Sequence, residues 1–135
     1  RTVHARKPQA LVLAADTVVA CGRRILPKAE DDATVTKCLA LLAGRRHTVI
    51  TAVALIDGTG KLRTRVVETK VAFCGLDAQE IGAYVESAEG LGKAGGYAIQ
   101  GRAAAFVRAI NGSYTNVVGL PLTETLHLLK ACGAA

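Results

Sequence analysis

One carboxylate stands where the surrounding sequence asks for a hydrophobe. Residues 10–20 have the apolar, β-branched composition of a buried strand, and Asp16 interrupts them. Cys21-Gly22-Arg23-Arg24 then reads as a turn and Ile25-Leu26 as a short returning strand that exits through Pro27 and Lys28. Such a hairpin brings the Asp16 carboxylate and the Lys28 ammonium to one cleft. A carboxylate that holds a hard divalent cation, beside a lysine that meets phosphate oxygens, is a minimal set for attack of water on a phosphoanhydride, because charge builds on the phosphate oxygens as the bond breaks. Farther along, residues 89–97 (Glu-Gly-Leu-Gly-Lys-Ala-Gly-Gly-Tyr) form a glycine-rich loop in which Lys93 is a candidate substrate-binding group. Gln100 follows, with an amide that offers both a donor and an acceptor.

Each of these residues also has an ordinary reading. Asp16 marks a strand end, Lys28 is a solvated lysine, and the glycines permit positive φ and close packing. The loop is not a Walker A motif, since no Gly-Lys-Ser/Thr follows at the required spacing, and it is not a convincing dinucleotide fingerprint. Combination and order carry the argument, not any one residue.

The elements that must position these groups alternate strands with helices. Residues 31–43 place Val35, Cys38, Leu39 and Leu42 at helical spacing, with acidic residues at the start and Gly44 where a C-terminal cap belongs. Residues 48–56 and 62–73 read as two strands joined at Asp57-Gly58-Thr59-Gly60, a long hairpin. Asp77 and Glu80 make a capping box for a helix to about Ser87 whose inner face uses Ile81, Tyr84 and Val85. Residues 106–110 and 115–118 flank Asn111-Gly112 and predict a second hairpin. Pro121 opens a last helix with Leu122, Leu126 and Leu129 on one face and Gly133 just beyond it. No internal repeat is present, and the pattern is that of a single α/β or α+β domain.

Composition narrows the ligand. The chain of 135 residues carries a formal charge of +6 and a pI near 9.4, which favours anionic partners. With two Phe, three Tyr and no Trp it lacks the stacking platforms of single-strand binders, so a small phosphorylated ligand is favoured over a nucleic-acid polymer. Cys21, Cys38, Cys74 and Cys132 are scattered without a C-x-x-C pair, and His4, His47 and His127 are equally dispersed, which argues for free thiols and against a zinc site. The basic start, residues 1–8, leads into no sustained hydrophobic region, and no apolar run approaches a membrane span; a cytoplasmic protein is expected.

Taken in order, residues 14–19 (Ala-Ala-Asp-Thr-Val-Val), 25–28 (Ile-Leu-Pro-Lys), 42–47 (Leu-Ala-Gly-Arg-Arg-His), 92–101 (Gly-Lys-Ala-Gly-Gly-Tyr-Ala-Ile-Gln-Gly) and 112–121 (Gly-Ser-Tyr-Thr-Asn-Val-Val-Gly-Leu-Pro) closely resemble the Maf family of nucleotide pyrophosphatases. The resemblance runs from about Leu11 to the C-terminus. It implies an α/β, Maf/ITPase-like domain over residues 1–135, with a mixed elongated sheet flanked by helices and a cleft between two lobes. It implies hydrolysis of nucleoside triphosphates to the monophosphate and pyrophosphate, with Mg²⁺ or Mn²⁺ as cofactor. By similarity, Asp16 binds the metal or activates water, Lys28 binds phosphate, and Gln100 recognises the base in the branch that prefers dTTP and UTP. A homodimer is implied as well.

Two departures from the family pattern stand out. The usual Gly-Lys-Pro around the loop lysine reads Pro27-Lys28-Ala29, which fixes φ ahead of the lysine. The family's opening Ser-x-Ser-Pro-Arg-Arg motif, a glutamate after it and a lysine upstream of Ala-Asp-Thr are all expected before Arg1. The chain is therefore expected to be an N-terminally truncated member with impaired activity. The competing reading from another class is a non-catalytic nucleotide-binding or septum-related interaction domain.

Overall fold

The computed structural model describes residues 11–133, so the basic segment with His4 and the first residue of the 10–20 run lie outside the described residues. Period-two burial lays down the sheet. In β3 (Arg46–Ile56) the residues His47, Val49, Thr51, Val53 and Leu55 are all buried while their neighbours are not, the signature of a strand with one face on a core. Around it the described strands β1 (Val12–Cys21), β2 (Arg24–Leu26), β4 (Leu62–Phe73) and β5 (Val107–Asn111) form a five-stranded sheet in the order β2-β1-β3-β4-β5. Every pairing among them is antiparallel. The α/β class with helices flanking the sheet is as expected, but among the described strands the sheet is antiparallel and not mixed, because hairpins and antiparallel neighbours make every pairing.

Both hairpins that frame β3 follow from their turns. The β1–β2 turn uses Gly22 at φ +60° and pairs Cys21 with Arg24. In the β3–β4 turn the Asp57 carboxylate accepts from the Thr59 and Lys61 backbone N–H groups and from Arg63 at 2.5 Å, so one side chain organises the whole reversal. The described part of β2 pairs only with residues 19–21, which leaves Val12–Val18 of β1 paired on the β3 side alone.

Two apolar clusters sit along the sheet. The larger packs α1 (Asp32–Leu42), through Val35, Cys38, Leu39 and Leu42, and α2 (Ala78–Glu86), through Ile81 and Tyr84, against Val49, Val71 and Phe73. Asp31 caps α1 by accepting from the Thr34 N–H at 2.8 Å, and Asp77 and Glu80 form the reciprocal box that starts α2. The smaller cluster holds Val53, Leu55 and Leu128.

Two expectations fail. Residues 115–118 are not the second arm of a hairpin; they lie in a short helix, α3 (Tyr114–Val118). Ser113 caps it, accepting from the Asn116 N–H at 3.1 Å, and the buried Asn116 side chain is bonded into the sheet, so specific contacts override the β propensity of Thr115, Val117 and Val118. Strand β5 pairs with β4 instead, Lys70 opposite Asn111. In α4 (Leu122–Ala131) the buried residues are Thr125 and Leu128, while Leu122 and Leu126 are each 50% exposed. The helix is turned so that Leu128 reaches Val53 and Leu55, and Thr125 donates to the Pro121 carbonyl at 2.8 Å. Among the described residues no helix is long and apolar enough to cross a membrane, and all four cysteines are free.

Candidate active site

The four residues singled out in the sequence line one cavity of about 230 Å³: Asp16, Lys28, Lys93 and Gln100 share its wall with Thr17 and Tyr97. All four are solvent-exposed, as groups that meet a diffusible ligand must be. The lining counts two lysines and one acidic residue, so the cavity favours an anion.

The lysines are brought together by the backbone. Lys28 and Ala94 form an antiparallel bridge. Around it the Ala29 N–H donates to the Lys93 carbonyl at 3.1 Å, Gly92 N–H to the Ala29 carbonyl at 2.7 Å, and Gly95 N–H to the Pro27 carbonyl at 3.1 Å. The segment after β2 and the glycine-rich loop are thus zipped into a small ladder that brings both lysines to the same cavity. Gly95 serves packing: at φ +74° a Cβ there would stand 3.0 Å from the Val19 methyls. The ordinary reading of a glycine, positive φ and close approach, holds at that position.

The register of β1 adds a detail that the sequence does not reveal. Thr17 lies opposite Thr51 and Asp16 opposite Ala52, so alternation sends Thr17 to the buried face and Asp16 to the other. Asp16 borders the cavity from the stretch of β1 whose outer edge is unpaired among the described residues, with its side chain leaving from the face opposite Thr17. Thr17 is the residue aimed inward. Its hydroxyl lies 2.8 Å from that of Thr51, which in turn donates to the Asn116 carbonyl at 3.4 Å. The Asn116 amide reaches the Val49 and Val67 carbonyls and the Thr69 hydroxyl at 2.9–3.1 Å. This network ties α3, whose Val117 and Val118 border the cavity, to the sheet beneath it.

Tyr97 forms another part of the wall. Its hydroxyl is 2.5 Å from His47 Nε2, and its ring packs edge-on against His47 and Phe73. Burial pushes the His47 pKa down to about 4 and raises that of Tyr97 well above the usual phenol range, so both are neutral. Thr17, His47 and Tyr97 stand inside the segments quoted from the sequence; Thr51 does not, and a buried threonine in an alternating strand gives no signal of its own.

A divalent cation fits this wall only in one manner. Among the described residues no three His, Cys, Asp or Glu side chains cluster as a metal cage. The donor set of one carboxylate matches a hard cation that keeps most of its waters and completes its shell with substrate phosphate.

The chain matches known proteins along nearly its whole length. The family described as "Maf-like protein" matches residues 1–132. A dTTP/UTP pyrophosphatase of Paramagnetospirillum magneticum is 59% identical over 133 residues, covering 98% of this chain and 70% of the relative. One from Caulobacter vibrioides is 58% identical, covering 98% and 69%. Another from Rhodospirillum rubrum is 60% identical over 131 residues, covering 97% of this chain and 62% of the relative.

Proposed function

The chain belongs to the Maf family, and from that premise we propose that it hydrolyses dTTP and UTP to the nucleoside monophosphate and pyrophosphate, with Asp16, Lys28, Lys93 and Gln100 in its site. The observation that carries this reading is the single cavity these four residues share, although Asp16 and Gln100 stand 84 positions apart in the chain. A polyphosphate brings several negative charges, and two lysines held by one backbone ladder are suited to it.

Each residue has a definite task. Lys28 and Lys93 hold phosphate oxygens and favour the transition state, in which charge on those oxygens grows as water reaches the α-phosphorus. Asp16 would hold the cation, Mg²⁺ or Mn²⁺, or take the proton of the attacking water. The cation, when bound, supplies Lewis-acid stabilisation of the phosphate charge. Gln100 offers its amide N–H and C=O to the O4 and N3–H edge of uracil or thymine, a pattern that cytosine reverses. Four free thiols support a cytoplasmic setting, and the exposed Val118, Leu122 and Leu126 side chains are consistent with a homodimer.

The test is a substrate panel run on the protein as its gene encodes it. kcat/KM should rank dTTP and UTP above CTP and GTP, and Gln100→Ala should flatten that ranking. A ranking unchanged by Gln100→Ala removes that residue from base recognition.

A further inference from the structure

Gln100 sits in a tight turn that is held from both sides by the end of α2. On one side the Ala98 N–H donates to the Tyr84 hydroxyl at 3.0 Å. On the other, the Arg102 N–H donates to Glu89 Oε1 at 2.8 Å, and the Arg102 guanidinium approaches Glu89 Oε2 at 3.6 Å. The turn closes on itself through Gly101 N–H to the Ala98 carbonyl at 3.2 Å. Arg102 begins a 3₁₀-helix (Arg102–Phe106) for which Gly101 supplies no side-chain cap, so Glu89 acts as that cap from a distant segment.

Three features show that this contact is built closely. A Cβ at position 101 would stand 2.0 Å from Glu89 Oε1, so the carboxylate occupies the space that any side chain there would need. Ala88, just before Glu89, has φ +61° and is the sole non-glycine residue with positive φ among the described residues. Such backbone costs free energy and persists where surrounding contacts hold it. Here the Glu89 N–H donates to Ser87 Oγ at 3.2 Å, and Ser87 Oγ donates to the Tyr84 carbonyl at 2.6 Å.

We propose that Glu89 is a positioning residue for base selection: by capping the Arg102 N–H and filling the space beside Gly101, its carboxylate fixes the orientation from which Gln100 meets the pyrimidine. The inference rests on the base-reading role of Gln100 given above. Glu89 makes no contact with the base itself; it acts through the turn. The cap is the operative contact. The ion pair is secondary, because its side chains are 69% and 33% exposed and solvent screens them.

The test reads equilibrium binding of the product nucleotides dTMP, UMP and CMP, which requires no turnover, with thermal unfolding alongside. Glu89→Ala should weaken dTMP and UMP by about tenfold and leave CMP within about twofold, compressing the preference. Glu89→Gln keeps an acceptor for the Arg102 N–H and should restore most of it. Glu89→Asp, a smaller change that shortens the reach, should behave as Glu89→Ala does. Arg102→Ala retains the backbone N–H and should leave the preference in place. Equal weakening of all three nucleotides, a Glu89→Gln protein as poor as Glu89→Ala, or unfolding of both Glu89→Ala and Glu89→Asp would overturn the proposal and make Glu89 a structural brace. Gln100→Ala separates the two levels. If it leaves the preference intact, the reading of Gln100 fails and this inference falls with it. If it abolishes the preference and the Glu89 variants do not, only the Glu89 proposal fails.

Discussion

His47 Nε2 lies 2.5 Å from the Tyr97 hydroxyl, and both side chains are buried, at 2% and 6% exposure. Folding therefore holds a neutral imidazole against the wall of the site. The pKa of His47 falls from 6.5 to about 4 through burial. A depressed histidine contributes stability that is fully present above pH 6.5 and is lost as pH falls from 6.5 through 4, because the unfolded chain binds a proton that the folded chain refuses. The loss corresponds to roughly 3 kcal/mol. Urea unfolding at pH 7.5, 6, 5 and 4 should show that decline, and His47→Gln should flatten it; an unaltered slope in the variant would assign the decline to other groups.

Asn116 is fully buried, and its amide bonds two carbonyls and a hydroxyl from β3 and β4. Asn116→Ala leaves those acceptors unsatisfied and opens a void, and should lower stability by about 2–4 kcal/mol. Asn116→Asp places a carboxylate against the same acceptors and should be no better. Equilibrium denaturation of both variants checks this, and a loss below about 0.5 kcal/mol would show that α3 is held by other contacts.

Asp16 and Thr17 are neighbours on opposite faces of β1, one exposed and the other bonded to the buried Thr51. Asp16→Asn keeps shape and removes charge at an exposed position, so turnover should fall by about a hundredfold or more while stability shifts within about 0.5 kcal/mol. Thr17→Val removes the hydroxyl bonded to Thr51, and should cost about 1 kcal/mol of stability. Steady-state kinetics with saturating Mg²⁺ or Mn²⁺, paired with thermal melts, separates the two effects; normal turnover in Asp16→Asn would end its assigned role.

Lys28 and Lys93 should act on the same polyphosphate. Each alanine variant should raise KM for dTTP by about tenfold, and the double variant should depart from the product of the two because both serve one ligand. The single variants should also show weaker salt dependence of kcat/KM. Strict independence of the two substitutions would place them on separate ligands or on none.

Much of this arrangement can be read from residue order, for physical reasons that differ by element. The α1 face, Val35, Cys38, Leu39 and Leu42, is legible because helical spacing and burial coincide there, and the Asp77–Glu80 box because its chemistry is local. The helix at 114–118 was hidden by its own β-branched residues; what decides it is Asn116 reaching into a sheet far away in sequence. The face of α4 was hidden because Leu128, not Leu122 or Leu126, meets Val53 and Leu55. Residue types and order singled out Asp16, Lys28, Lys93 and Gln100, which line one cavity. The face of β1 that Asp16 occupies required the strand register, and the hold of Glu89 on the Gln100 turn required coordinates.

In the proposed reaction water attacks the α-phosphorus of a pyrimidine triphosphate. Hydrolysis of dTTP in ¹⁸O-labelled water, followed by ³¹P NMR and mass spectrometry, tests it directly. Attack at that atom yields dTMP carrying the label and unlabelled pyrophosphate as the only products; labelled inorganic phosphate with dTDP, or label in the pyrophosphate, would contradict it.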